Sequence, residues 1–200
     1  MVYFVKLQAY FHGFRYLEKL IPEGDVFGSP YGLLLRENKS LSELKKSIRA
    51  YQNFFLKTFD DECASKVLLT GLDMLNALHC IPIKKTEKNL IQVMEGDSKS
   101  LQQLNQLEPD FIYKPYSANS QKFSLILAHG ASIPDFEKLE NLCQLLGKGQ
   151  LYIKIETGNI AGLNQFEKLR LFFGTKKDVL VSTYPLNEES DMMLIEKKWA

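Results

Sequence analysis

The stretch that decides the fold is residues 122–184, whose sequence is KFSLILAHGASIPDFEKLENLCQLLGKGQLYIKIETGNIAGLNQFEKLRLFFGTKKDVLVSTY. Residues 123–128 form an almost wholly apolar run, which is typical of a strand that is covered on both faces. Residues 151–155 and 179–183 predict two further strands, and a helical pattern separates each strand from the next. Consecutive βαβ units imply parallel strands with right-handed crossovers. The sequence therefore predicts an α/β or α+β fold whose mixed sheet has a C-terminal βαβαβ portion.

Two runs of helical periodicity lie in the first half of the chain. Apolar residues from Leu44 to Phe59 recur at three- and four-residue steps, which indicates one amphipathic helix. An acidic run at 60–62 favours the start of a second helix, which carries apolar residues from Val67 to Leu78. Two helices on a short connection predict an N-terminal helical hairpin. Residues 1–10 alternate as a strand, and whether N-terminal strands join the C-terminal sheet is left open.

The domain organisation follows from the length and from one polar segment. Two hundred residues are enough to bury a substantial core, so we expect a single compact domain over residues 1–200. Residues 115–121, with Ser117, Asn119 and Ser120, form the most plausible internal boundary. A subdivision would separate a strand and helical-hairpin part at 1–115 from a βαβαβ part at 121–200.

Composition restricts the partners and the compartment. The formal net charge of +1 disfavours duplex nucleic acid and anionic membranes as partners. The three cysteines are widely spaced and form no CxxC pair, which favours a reducing, cytoplasmic location over a disulfide framework. The sequence has no apolar run of about eighteen residues, so we expect no membrane span.

The sharpest candidate for chemistry is the pair His129 and Gly130, which ends the first strand of the decisive stretch. Ligands of open α/β sheets bind outside the carboxyl ends of the strands, and a histidine there could act as a general base. The next strand ends at Glu156 and leads into a turn with Gly158 and Asn159. We therefore expect these five residues to be the candidate pocket.

The His-Gly pair resembles two hydrolase families. In α/β-hydrolases such a pair prepares the oxyanion hole, but the GxSxG nucleophile motif is absent from this chain. In the caspase-type protease fold a nucleophilic cysteine ends the next parallel strand, whereas this strand runs into Glu156, Thr157 and Gly158. Covalent catalysis needs a thiolate or an activated hydroxyl beside the base. We accordingly predict no catalytic residue, no metal and no cofactor.

The leading functional prediction is a non-catalytic, cytoplasmic interaction protein, such as an adaptor, a chaperone or an assembly subunit of a larger complex, with a secretion system as one concrete form. Its partner would be another protein or a peptide segment, docked on sheet edges or beside the predicted helix pair at Tyr51, Phe55, Leu68 and Leu72. The alternative is a small hydrolase-like or ligand-binding domain with a pocket around His129 and the turn at 158–162. The oligomeric state and the identity of the partner are left open.

Overall fold

The computed structural model describes residues 41–59, 66–81, 89–107, 111–118, 122–133 and 135–197. The predicted strand at 1–10 lies outside these ranges. The described elements, in chain order, are α1 (Leu41–Thr58), β1 (Lys66–Gly71), a 3-10 turn (Leu72–Met74), α2 (Leu75–Cys80), β2 (Asn89–Glu95), α3 (Ser98–Leu107), β3 (Phe111–Pro115), β4 (Phe123–His129), a second 3-10 turn (Gly130–Ser132), α4 (Phe136–Leu145), β5 (Leu146–Glu156), α5 (Ile160–Gly174), β6 (Val179–Pro185) and β7 (Ser190–Lys197).

The described strands form one seven-stranded sheet in the order β3-β2-β1-β4-β5-β7-β6. Strands β1 to β5 pair in parallel, while β7 lies between β5 and β6 and is antiparallel to both. The chain builds the sheet outward from β1 in one direction and then from β4 in the other. The strand order therefore reverses between β1 and β4, which makes the carboxyl ends of these two strands the topological switch point.

Helices cover both faces of the sheet. On one face, side chains of α1, α2 and α3 pack with alternate strand residues such as Val67, Leu127 and Tyr152 in one buried cluster. On the other face, α4 and α5 pack on residues such as Leu68, Ile126 and Ile153 in a second cluster. Because successive strand residues point to opposite faces, the apolar runs of β1 and β4 supply both clusters.

The fold class is confirmed: the structure is α/β with a mixed sheet, and β4, α4, β5, α5 and β6 follow one another as the C-terminal stretch predicts. From the sequence alone, residues 192–199 fit an antiparallel edge strand or a last helix; in the structure β7 pairs on both sides and lies inside the sheet. None of the helices in the described ranges is long and apolar enough to cross a membrane.

The predicted helical hairpin is wrong in its second helix. The first helix is present as α1, but Lys66–Gly71 is strand β1, at the centre of the sheet, and only the short helix α2 follows it. Five consecutive residues of β1 are buried, from Val67 to Gly71. An apolar run this short has no periodicity that separates a buried strand from a buried helix, and parallel strands favour such unbroken runs.

The candidate boundary at 115–121 connects two parts of the same sheet. Strand β1, which precedes it, pairs with β4, which follows it. The prediction of a single domain over all 200 residues stays a prediction, because residues 1–40 lie outside the described ranges.

Candidate functional site

The switch point brings together residues from the carboxyl ends of four parallel strands. Gly71 ends β1, Glu95 ends β2, His129 ends β4 and Glu156 ends β5. Asp73 is the second residue after β1, in the first 3-10 turn. Three carboxylates and one imidazole therefore lie along one edge of the sheet.

His129 is held from several sides. Its backbone N–H donates to Thr70 Oγ1 (3.3 Å), and its Nδ1 accepts from the N–H of Ala131 (3.2 Å). Its Nε2 lies 3.4 Å from Glu156 Oε1, and its Nδ1 lies 3.7 Å from Asp73 Oδ2. Because Nδ1 accepts a backbone hydrogen bond, this pattern assigns the ring proton of the neutral imidazole to Nε2, where it donates to Glu156.

The turn that follows His129 is fixed by polar contacts to β1 and α5. Ser132 Oγ donates to the carbonyl of His129 (2.7 Å) and lies 2.8 Å from Thr70 Oγ1. From α5, Gln165 Nε2 donates to the carbonyl of Gly130 and to that of Ile133 (3.3 Å). A Cβ on Gly130 would lie 2.8 Å from Gln165 Oε1, so only glycine leaves room for this clamp.

Glu156 is an ionised carboxylate in this arrangement. Its hydrogen bond from His129, helped by the ammonium of Lys154 at 2.7 Å, lowers the pKa of Glu156 to about 2. Lys154 is itself a buried residue of β5. The carboxylate of Glu156 therefore stays negatively charged beside the imidazole over the whole physiological pH range.

Asp73 and Glu95 are the functional candidates that sequence reasoning missed. Asp73 Oδ1 is buried and has no hydrogen-bond partner among the described residues, and a Cβ on Gly71 would lie 2.8 Å from it. Glu95 pairs with Lys138 of α4. An acidic residue directly after an apolar strand would have been the signal, but β1 had been interpreted as a helix.

A cavity of about 680 Å³ opens beside His129, between the first turns of α4 and α5. His129, Glu156 and Asn159, which the sequence predicts to converge, all line it. Gly130 and Gly158 do not line it. Gly130 instead accommodates Gln165, and the N–H of Gly158 donates to the carbonyl of Glu189 (2.9 Å).

Asn159 also determines where α5 begins. Its Oδ1 caps the helix by accepting from the N–H of Gly162 (2.9 Å). A Cβ on Gly162 would lie 1.4 Å from the carbonyl oxygen of Glu156, so α5 reaches the end of β5 only because this residue has no side chain. Asn159 and Gly162 thus set one wall of the cavity.

The residues predicted as a docking surface lie in the core. Tyr51, Phe55 and Leu72 are buried in the cluster beneath α1, and Leu68 is buried in the cluster on the opposite face of the sheet. Leu68 belongs to β1 and not to a helix, so the four residues cannot form one exposed surface. Among the described residues, no group of three or more His, Cys, Asp or Glu side chains is arranged to hold a metal ion.

No protein-family model and no curated protein sequence matches the chain. Solved structures of methyltransferases share its fold. A methyltransferase from Geobacter sulfurreducens is 12% identical and superposes with a TM-score of 0.53, over 96% of this chain and 97% of its own. The plantazolicin methyltransferase in complex with SAH is 12% identical, with a TM-score of 0.52 over 99% of this chain and 96% of its own.

The prediction of a non-catalytic adaptor, chaperone or assembly subunit is wrong, because the solved structures that share this fold include methyltransferases. Neither of these two structures is a hydrolase. The prediction failed because the chain lacks a protein nucleophile, and this lack was taken to mean that the chain is not catalytic. A group that arrives already activated on a cofactor needs no covalent intermediate with the protein.

Proposed function

We propose that this chain is a methyltransferase that uses S-adenosylmethionine (SAM), bound across the carboxyl ends of β1 and β2. The observation that carries the proposal is the sheet order with its switch point between β1 and β4, together with the carboxylates of Asp73 and Glu95 at that edge. One structure with the same fold is a complex with SAH, the product that SAM leaves after methyl transfer. When bound, SAM supplies an electrophilic methyl group.

The residues at the switch point fit the chemistry of this cofactor. SAM carries a sulfonium cation, an ammonium group, a carboxylate and a ribose diol but no phosphate, and its ammonium group and ribose hydroxyls call for carboxylate acceptors. Asp73 Oδ1 is buried and lacks a donor among the described residues, which makes it suited to accept from the ammonium group. Glu95 is placed to accept from the ribose hydroxyls, as an acid at the end of β2 does in dinucleotide-binding folds.

The loop after β1 also lacks the features of a phosphate-binding loop. It contains Gly71 alone, followed by Leu72, Asp73 and Met74, and the next helix, α2, has only six residues. Glycine-rich loops and long helix N-termini serve to bring backbone N–H groups to a pyrophosphate. A cationic cofactor without phosphate has no use for that arrangement and is favoured by the acidic side chain that stands here instead.

His129 is the group that borders both the switch point and the cavity, since its ring lies between Asp73 and Glu156. A methyl acceptor with an O–H or N–H group must lose its proton. In this proposal His129 Nδ1 accepts that proton and gives up the hydrogen bond that it accepts from the N–H of Ala131. The resulting Nδ1–H would face Asp73, while Nε2–H keeps its hydrogen bond to Glu156.

The compartment and the class of acceptor are part of the proposal. Neither Cys80 nor Cys143 is in a disulfide, and burial raises the pKa of the Cys143 thiol to about 11, so both thiols suit a reducing cytoplasm. The net charge of +1 supports a small-molecule acceptor over a polynucleotide, whose phosphates would call for a strongly basic surface.

Isothermal titration of SAM and SAH tests the proposal. We expect both to bind, and Asp73→Asn and Glu95→Gln each to weaken the affinity about tenfold, because each removes a charge-assisted acceptor. Glu167→Gln is the matched control, since this exposed carboxylate of α5 contacts only Arg170 of its own helix among the described residues. Absence of SAM binding, or equal losses in the control, would refute the proposal.

A further inference from the structure

One stripe of α5 faces the cavity. Ala161, Asn164, Gln165 and Lys168 all line it, and their spacing of three and four residues places them on the same side of the helix. Among the described residues, no hydrogen bond or ion pair engages the side chains of Asn164 and Lys168. Three of the four side chains in the stripe are polar, so the stripe offers hydrogen-bonding groups to a ligand in the cavity.

The carboxamides of this stripe offer complementary groups. The amide nitrogen of Gln165 is occupied by the carbonyls of Gly130 and Ile133, so its orientation is fixed and Oε1 remains as an acceptor. Asn164 retains both its donor and its acceptor. A carboxamide with both groups available pairs with a ligand edge that presents an adjacent donor and acceptor, as planar nitrogen heterocycles do.

An ordered aromatic ring also lines the cavity. Phe136, at the start of α4, is half exposed and stacks on Phe172 with ring centroids 5.4 Å apart and an angle of 14° between the planes. Lys176 lies 4.8 Å from the centroid of Phe172 and pairs with Glu140 at 2.9 Å. The ring of Phe136 is thus held in place before a ligand arrives, so stacking on it costs little side-chain entropy.

The carboxylates of the cavity do not call for a cationic ligand. Asp135 Oδ1 caps α4 by accepting from the N–H of Lys138 (2.8 Å), and Glu156 is engaged by Lys154 and His129. The remaining wall includes the apolar side chains of Ile133 and Leu169. The volume of about 680 Å³ falls in the range of small-molecule sites, about 300–1,000 Å³.

We infer that this cavity binds a planar heteroaromatic ring with a donor–acceptor edge, such as a nucleobase, stacked on Phe136 and hydrogen-bonded by Asn164. The inference rests on the proposed function, because His129 borders both the cavity and the switch point and would bring such a ring next to the methyl donor. The same chemistry is available from a free nucleoside and from a base in single-stranded RNA. The net charge of +1 favours the free nucleoside.

The test uses saturation-transfer NMR and calorimetry with adenosine, guanosine, cytidine and uridine as probes. We expect at least one of them to bind the wild-type chain, and Phe136→Leu and Asn164→Ala each to weaken that binding about tenfold. Phe136→Leu keeps an apolar side chain on Phe172, so the variant retains its fold. Leu171→Ala is the control, because Leu171 is exposed on α5 and does not line the cavity.

SAM affinity measured on the same samples separates the two claims. If SAM binds and none of the probes does, or if the two variants bind the probes as the wild type does, the inference fails and the proposed function stands. If a probe binds in the expected pattern and SAM does not bind, the ring site stands and the proposed function fails. A short single-stranded RNA that contains the preferred base is tested in parallel. If it binds more tightly than the nucleoside and with strong salt dependence, the natural occupant of the cavity is a base in RNA and not a free nucleoside.

Discussion

The carboxylate of Glu156 contacts both the buried Lys154 and the ring of His129. Its position at the end of β5 makes it a wall of the cavity, and its charge fixes which nitrogen of the imidazole carries the proton. The residue therefore affects stability as well as chemistry, and its contribution to stability can be measured without knowledge of the substrate.

We expect Glu156→Gln to remove stability in a pH-dependent way. The folded state holds the pKa of Glu156 at about 2, below its ordinary value of 4.5, so the carboxylate stabilises the fold above about pH 4.5 and this contribution is lost as the pH falls towards 2. The side chain is 40% exposed, and after allowance for solvent screening we expect about 1 kcal/mol at neutral pH.

Urea denaturation of wild type and variant at a series of pH values measures this difference. The free energies of unfolding should differ at neutral pH and converge in acid. A difference that stays constant from neutral pH down to the acid limit would show that the loss comes from packing and not from the ionised carboxylate.

A site residue could be named from the sequence only where the strand that carries it was recognised. His129, Glu156 and Asn159 were named from the sequence because the strands β4 and β5 were recognised, and the three line one cavity. Asp73 and Glu95 were missed at the site. The run that contains β1 was interpreted as a helix, which placed Asp73 within a helix. Residues 90–94 fit a strand from the sequence, but without β1 beside it nothing connected Glu95 at its end to a site.

At the scale of elements, the placement of α5 on the end of β5 builds the cavity. The helix begins with the cap of Asn159, and the N–H of Leu163 donates to the carbonyl of Asn159 (3.0 Å). Gly162 then lets the first turn lie against the backbone of Glu156. This contact depends on the absence of a single methyl group.

We expect Gly162→Ala to destabilise the protein by about 3 kcal/mol, because its Cβ would lie 1.4 Å from the carbonyl oxygen of Glu156 and α5 must move away. Gly174→Ala is the matched control at the other end of α5, where a Cβ meets nothing within 4 Å. Its stability should remain within about 0.5 kcal/mol of the wild type. Thermal or urea denaturation measures both, and equal effects of the two substitutions would contradict this position of α5.

The elements of the C-terminal part could be predicted because each carries its own local signal. The apolar run of β4 and the helical patterns of α4 and α5 agree with one another. The central strand β1 carries no such signal, since its buried run from Val67 to Leu69 fits a helix or a strand equally well. The choice between helix and strand is made only by the pairing of β1 with both β2 and β4, which is a non-local interaction.

At the scale of the whole molecule, the strand order determines where chemistry can take place. The reversal between β1 and β4 leaves a crevice at the carboxyl edge of the sheet, and helices on both faces keep the rest of the sheet buried. The sequence predicted the α/β class but not this order, because strand neighbours are set by packing between distant segments. Without the order, the acidic edge at Asp73 and Glu95 could not be connected to the ring of His129.

The central claim is that SAM occupies the carboxyl edge of β1 and β2, and a crystal structure of the chain grown with SAH tests it most directly. We predict density for SAH at this edge, with the ribose hydroxyls against the carboxylate of Glu95 and the amine against Asp73. The account would be contradicted if saturating SAH left this edge without density, or if SAH lay only in the cavity between α4 and α5.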